Sequence, residues 1–343
     1  MGDTAVGGRP ARGALPPSRL RLPSSRGVAL AIYVGRRVLW MFPVLFFVIL
    51  ITFVLMHLAP GSPWDRTGGR PLSAAVVANM NIKYGLDKPI WQQFLLYIWN
   101  ALHFDFGLSY QYQGKTVSSL ILGGWPYTFT IGVLAFCIIV PVGIGLGVAA
   151  ALRQNTRADY SAMAFATFGA AVPNFVIGML LIIVFGVTLY NVTGSNYSLP
   201  VSGFGLDDHL IMPVVTLATL PTAYIARLTR ASTLDILRQD YVRTAWAKGL
   251  SERLVVLKHI LKNSLIPVVT ALGPTFAILI TGSVIVESVF VIPGIGRSFV
   301  TAVFSRDYPM ILGTTILFAV VIALANLVVD ILYVFIDPRV RLS

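Results

Sequence analysis

The 343-residue sequence has one cysteine, four histidines and very little charge: 12% of its residues are Asp, Glu, Lys or Arg, and acids number 14 against 26 bases. A single cysteine, Cys137, excludes an intrachain disulfide and any paired-cysteine metal site. His57, His103, His209 and His259 show no i, i+4 pair and have no carboxylate or cysteine at metal-ligand spacing, so no metal or haem site is expected. No nucleophile and base stand together as a hydrolase would need. "SYQYQGKT" (109–116) ends like a phosphate-binding loop, but G-x-x-x-x-G-K-[ST] requires glycine where Ser109 stands. The chain is therefore expected to carry no ATPase and no cofactor of its own.

What it has is hydrophobic length. Apolar residues make up 56% of the chain, far more than soluble domains use. The formal net charge of +12 does not indicate nucleic acid, because no solvated domain remains to gather the basic residues once the apolar runs are removed. A helix needs about 20 apolar residues to cross the hydrocarbon core. Runs near that length fall at Val38–Leu58, Tyr127–Leu152, Ser161–Tyr190, Leu210–Ile225, Leu265–Val286 and Met310–Ile336. The fourth is the shortest and carries Pro213 and Pro221, which favours a broken or tilted span or one extended toward Arg230. The expected fold is an all-α integral membrane protein with six transmembrane helices.

Basic residues set the expected orientation. Seven arginines against Asp3 precede the first span, and eight basic residues lie between spans four and five. Both belong in the cytosol. Arg153, Arg157, Arg339 and Arg341 agree, whereas Asp207 and Asp208 fall outside, so both termini are expected to be cytosolic. Residues 1–30, rich in Gly, Pro, Arg and Ser, are expected to form a disordered cytosolic tail rather than a cleaved signal peptide. Residues 31–343 form the membrane domain, with an external region at 59–126, where Trp91, Tyr97, Trp99, Phe104 and Phe106 suggest an interfacial aromatic belt. A cytosolic loop occupies 231–264. "NVT" at Asn191 and "NYS" at Asn196 match a glycosylation pattern that such tripeptides meet by chance.

That loop is the most informative segment. "DYVRTAWAKGLSERLVVLKHILKNSLIP" (240–267) reads as a short helix from about Ser232 to Lys248, a turn at Gly249, and an amphipathic helix with Leu250, Leu254, Leu257, Leu261 and Leu265 on one face. A basic amphipathic helix resting on anionic lipid explains the second part. It leaves the first helix unexplained, where Tyr241, Thr244, Ala245, Trp246 and Ala247 offer small residues and aromatic anchors suited to a protein partner.

Among the acids near spans, Glu287 has two readings: an acceptor facing a substrate path, or a partner of Arg297. Asp330 is expected to pair with an arginine or cap a helix. Asn174 and Asn326 either line a path or hold helices together.

"DYVRTAWAKGL" with "LKHILKNSLIPVVT" resembles the cytoplasmic loop of permease subunits in ATP-binding-cassette importers of the dipeptide and oligopeptide class. "YGLDKPIWQQFLLYIWNALHFDFGLSY" (84–110) is similar to that family's first external region, "VESVFVIPGIGR" (286–297) to the end of its fifth span, and "DILYVFIDPRVRL" (330–342) to its C-terminus. The resemblance implies a type I importer permease in a bacterial inner membrane. It also implies a second homologous permease, two ATP-binding subunits that carry ATP and Mg, and an external substrate-binding protein or lipoprotein that delivers peptide. By the same resemblance Arg243, Thr244 and Ala245 stand where the broad importer motif has Glu-Ala-Ala, and Gly249 is its glycine. Arginine replaces the glutamate and Pro267 lies farther from the glycine than in the broad pattern. Tyr241, Arg243, Thr244, Ala245, Trp246 and Gly249 are thereby the expected ATPase-coupling residues, and Glu287, Asn174 and Asn326 the candidate path residues. A proton-coupled carrier, or the same machinery moving haem or nickel, is the competing reading.

Overall fold

The structure, a computed structural model, describes residues 26–64, 73–193 and 197–336. Most of the expected tail, Asn196, Arg339 and Arg341 lie outside the described residues. Among those described every regular element is helical, apart from one isolated bridge between Leu108 and Thr116.

Helix α1 (Arg26–Leu58) is long enough to cross a membrane. The segment between the first two membrane-length helices follows, with α2 (Ala74–Tyr84) and α3 (Ile90–Leu102). Gly85 ends α2 at φ +71°, and the Gly85 and Leu86 amides donate back to Ile82 and Asn81, the left-handed stop that glycine takes without steric cost. The amphipathic α3 keeps Trp91, Leu95, Trp99 and Leu102 exposed.

Helix α4 (Val117–Leu152) begins well before the expected Tyr127. The Thr116 hydroxyl accepts the Ser119 amide and starts the helix, and Pro126 is carried inside it. The third expected span, Ser161–Tyr190, is two helices. Helix α5 (Arg157–Ala171) stops at Val172, which is extended as residues before proline prefer, and α6 (Asn174–Leu181) restarts after Pro173. A π-helical stretch (Ile182–Thr188) and α7 (Leu189–Thr193) complete that membrane-length segment.

Helix α8 (Ile211–Leu237) resolves the weakest expectation: it runs unbroken through Pro221 and well past Ile225. It is the least hydrophobic of six candidate spans among the described residues and the most enclosed, 56% of its window being buried against 6% for α1. A helix surrounded by protein does not need the apolarity that lipid demands. It packs along α4, whose glycines let the backbones approach. A Cβ added at Gly147 would sit 2.5 Å from the Ala226 carbonyl and from Thr229 Cβ, and one at Gly143 would sit 2.9 Å from Ile225.

After α8 come α9 (Asp240–Ala247), α10 (Glu252–Val255), a π-helical turn (Val256–Leu261) and α11 (Lys262–Ser264), then α12 (Ile266–Thr281) with Pro267 in its first turn. The short loop helix thus starts at Asp240, because Ser232–Leu237 belongs to α8. At Gly282, φ +107°, the fifth span breaks, continues as α13 (Val284–Val289), and leads to α14 (Ile295–Phe304) and α15 (Tyr308–Ile336). The main core joins Ile131, Ala135 and Ile139 of α4 to Met212 and Leu217 of α8 and to Val286, Phe290 and Ile292. A second core ties Phe53 of α1 to Ile121 of α4 and Met310 of α15. Asp330 has the arginine partner expected of it: Arg37 of α1 lies 3.0 Å away.

Candidate functional site

The loop after α8 folds around its own small core of Val242, Ala245, Val255 and Ile260. Burial of Val242 and Ala245 fixes which face of α9 looks outward. Tyr241, Arg243, Thr244 and Trp246 are exposed, with Tyr241 and Trp246 each keeping 41% of their surface. The smallness of Ala245 therefore serves the packing of α9 on α10. The Thr244 hydroxyl donates to the Asp240 carbonyl at 2.9 Å, and Asn263 Nδ2 donates to the Tyr241 hydroxyl at 2.9 Å, which pins α9 to α11. Gly249, at φ +75°, turns the chain while the Gly249 amide donates to Trp246 and the Leu250 amide to Ala245. Nothing lies within 4 Å of a Cβ built there, so backbone conformation, not space, calls for glycine.

The apolar face of the second half differs from the expected leucine stripe. Val255, Ile260 and Ser264 are buried, while Leu254 and Leu257 are exposed. The π-helical turn inserts a spacing of five between Val255 and Ile260 and rotates the buried face away from the 3.6-residue periodicity. The leucines are left on the surface beside Arg253 and Lys258.

Glu287 is only 2% exposed. Its carboxylate accepts the Thr128 hydroxyl at 2.9 Å and the Arg297 amide at 2.8 Å; the Arg297 side chain is not its ion-pair partner. Thr128 in turn accepts the Ile295 amide at 3.0 Å. Together they satisfy first-turn amides of α14, which otherwise have no intrahelical partner. Glycines wrap the acid so closely that a Cβ at Gly294 would lie 2.3 Å from its carboxyl carbon and one at Gly282 2.8 Å from an oxygen. Asn174 begins α6 with a buried Oδ1 that has no hydrogen-bond partner among the described residues. Asn326 is exposed in a 490 Å³ groove between α1 and α15, beside Thr315 and Asp330. The three candidate path residues thus occupy separate places.

Two clusters escape sequence reasoning. Asp307, fully buried, accepts the Ser109 hydroxyl and the amides of Tyr110 (3.1 Å) and Gln111 (3.3 Å), fastening the segment before α4 to the start of α15. Nothing in "SRDYP" announces a contact made nearly two hundred residues away. Asp159 in α5 takes a bidentate pair from Arg230 of α8 at 2.6 and 2.7 Å, and accepts the Asn155 amide. The Arg230 hydrogen bonds hold the Asp159 carboxyl below the usual carboxylate range, assisted by the Asn155 amide. Outside the bundle, the His209 amide and ring likewise lower Asp207, and burial raises the Tyr97 and Tyr110 phenols.

Residues 143–342 match the family model described as binding-protein-dependent transport system inner membrane component, and residues 30–132 match the model for the N-terminal part of such membrane components. The oligopeptide transport system permease protein OppB of Salmonella typhimurium is 41% identical over 309 residues, 90% of this chain and 99% of that protein. The dipeptide transport system permease protein DppB of Bacillus subtilis is 41% identical over 292 residues, 85% and 92% of the two chains. The oligopeptide transport system permease protein AppB of Bacillus subtilis is 39% identical over 316 residues, 91% of this chain and all of that one.

Proposed function

The chain belongs to the binding-protein-dependent transport system inner-membrane components, and from that premise we propose that it forms, with a second related permease, the membrane path of an importer for dipeptides and oligopeptides. It is a multi-pass inner-membrane permease subunit and not itself an enzyme. Two ATP-binding subunits supply the hydrolysis, with ATP and Mg bound there, and an external binding protein delivers the peptide. The end of the bundle that carries α9 faces the cytosol. Peptide is the substrate class because relatives spanning nine-tenths of the chain are named as peptide permeases.

The geometry of α9 carries the coupling role. Val242 and Ala245 anchor the helix on its own core, so a force applied to the exposed Tyr241, Arg243, Thr244 and Trp246 moves α9 as a body instead of peeling it away. Gly249 sets its end. ATP-driven closure of the partner subunits must favour one permease state by about 5.5 kcal/mol to take it from 1:99 to 99:1. A helix seated in a partner groove can transmit that bias, whereas one resting on lipid cannot.

The test is gentle purification of the assembled transporter with Trp246→Ala or Gly249→Val in this subunit, scoring co-purified ATPase chains and binding-protein-stimulated hydrolysis. Wild-type protein should bring down both ATPases, and each variant should lose most of them while remaining folded in the membrane. A wild-type protein that comes down alone under conditions that preserve related complexes would sink the reading.

A further inference from the structure

Most of α8 is enclosed, yet one strip of its surface changes character halfway along. Pro213, Leu217, Leu220, Tyr224, Arg227 and Ala231, spaced alternately by four and three, share one face. In the N-terminal half that face is covered: Pro213 and Leu217 are buried, and Leu217 shares a core with Val286, Phe290 and Ile292 from beyond the Gly282 break. In the C-terminal half the same face is open, and Leu220, Tyr224, Arg227 and Ala231 are all exposed. One subunit therefore presents a wall that is sealed toward one membrane face and open toward the end carrying α9.

Arg227 lies in the C-terminal half of α8, two residues beyond the apolar run that ends at Ile225, and among the described residues it makes no hydrogen bond or ion pair. Its neighbour Arg230 is fully engaged by Asp159, and Arg37 in the first span has Asp330. An unpaired arginine on that open face is free to take an anionic group. Tyr224, one turn earlier on the same face, also has no hydrogen-bond partner among the described residues. A guanidinium fork beside a phenol suits a carboxylate, which Arg binds bidentately.

We propose that Tyr224 and Arg227 form a carboxylate-binding station on this subunit's wall of the translocation path, where the free C-terminal carboxylate of the peptide is held before release. The inference rests on the peptide-permease reading. An anionic lipid headgroup or an acid of the second permease could also meet an arginine, but lipid contact would not require the most enclosed helix of the bundle.

The experiment uses the complete transporter in proteoliposomes. In one arm a photoreactive p-benzoylphenylalanine replaces Tyr224, and the complex is irradiated during turnover with a radiolabelled tripeptide. In the other, Arg227→Gln and Arg227→Lys are assayed for uptake of that tripeptide and of its C-terminal amide, each normalised to wild type, with ATP hydrolysis as the assembly control. Label should attach to this chain. Arg227→Gln should lower uptake of the free acid about tenfold, as expected for one lost charge-assisted contact, while the amide changes less than about twofold and Arg227→Lys recovers most transport. Crosslinking only to lipid or to the second permease, or equal loss of acid and amide, would overturn the assignment while leaving the peptide-permease reading intact. A wild-type complex that hydrolyses ATP but moves neither peptide would instead refute that reading, and this inference with it.

Discussion

Replacing Glu287 tests whether its carboxylate holds α14 in place or meets substrate. Glu287→Ala leaves the Thr128 hydroxyl and the Arg297 amide without an acceptor in a site that is 2% exposed. Each buried orphan costs about 1–3 kcal/mol, and the vacated volume adds to that. The sum is about 3–5 kcal/mol. Glu287→Gln keeps an oxygen for the Arg297 amide and turns its amide group toward the Thr128 hydroxyl, which can accept as well as donate; the loss should be about 1 kcal/mol. Gly294→Ala is the companion, because its Cβ would fall 2.3 Å from the Glu287 carboxyl carbon and expel the acid without changing it. Thermal inactivation of the detergent-purified complex, followed by size-exclusion fluorescence, should rank wild type first, Glu287→Gln close behind, and Glu287→Ala with Gly294→Ala well below. Peptide uptake should fall in the same order. If Glu287→Gln is as unstable as Glu287→Ala, the hydrogen-bond argument is wrong. If it is stable yet inert in uptake, the charge acts on the substrate and the positioning role fails.

Gly147→Ala forces a methyl to within 2.5 Å of the α8 backbone, so it should destabilise the α4–α8 pair by about 1–3 kcal/mol, readable as a lower inactivation temperature. Asp159 has a depressed folded-state pKa; its stabilisation is complete above the unfolded carboxylate value near 3.9 and fades as pH falls through the lower folded value. Asp159→Asn should therefore be less stable than wild type at neutral pH and lose less on acidification below about pH 4, with merging curves as the expected result and parallel curves as the contrary one. Asp307→Ala should free the turn it gathers, costing about 3 kcal/mol and raising hydrogen exchange at the Tyr110 and Gln111 amides at least about tenfold.

Which elements could be read from sequence follows from the range of the forces that shape them. Lipid acts on every residue of an exposed span, so the strongly apolar segments announce themselves. Helix α8 does so only as far as Ile225, because its neighbours are protein and Thr216, Thr222, Thr229 and Thr233 can be buried there. The start of α4 is also set locally, by the Thr116 cap ahead of the strongly apolar run. The exposed half of α9 was legible because Tyr241 and Trp246 are costly on a surface without a partner. Its buried half was not, since Val242 and Ala245 pack on a helix whose periodicity the π-helical turn resets. Glu287 and Asp307 were visible as acids in unfavourable places or not at all. Their partners, Thr128 and Ser109, lie more than 150 residues away, where no spacing rule reaches.

On the proposed role, a movement imposed on α9 has a stiff route inward through α8. Only Arg238 and Gln239 separate α8 from α9, so little slack intervenes. Along its length α8 is fixed to α5 by the Asp159–Arg230 pair and to α4 by backbone approaches that only glycine permits. Breaking a buried ion pair by removing one partner costs about 3–5 kcal/mol, comparable to the bias the ATPases must deliver, so these joints should carry the load rather than yield. Helix α12 differs: it is interrupted at Gly282, in a conformation that other residues rarely adopt, and its continuation α13 presses Val286 and Phe290 against α8. On the same role, a rotation of α8 would be felt first by the Phe290 segment packed against it. Glu287 keeps that segment and α14 together as they move, which is a reason for a buried acid in a membrane protein that requires no contact with the transported molecule.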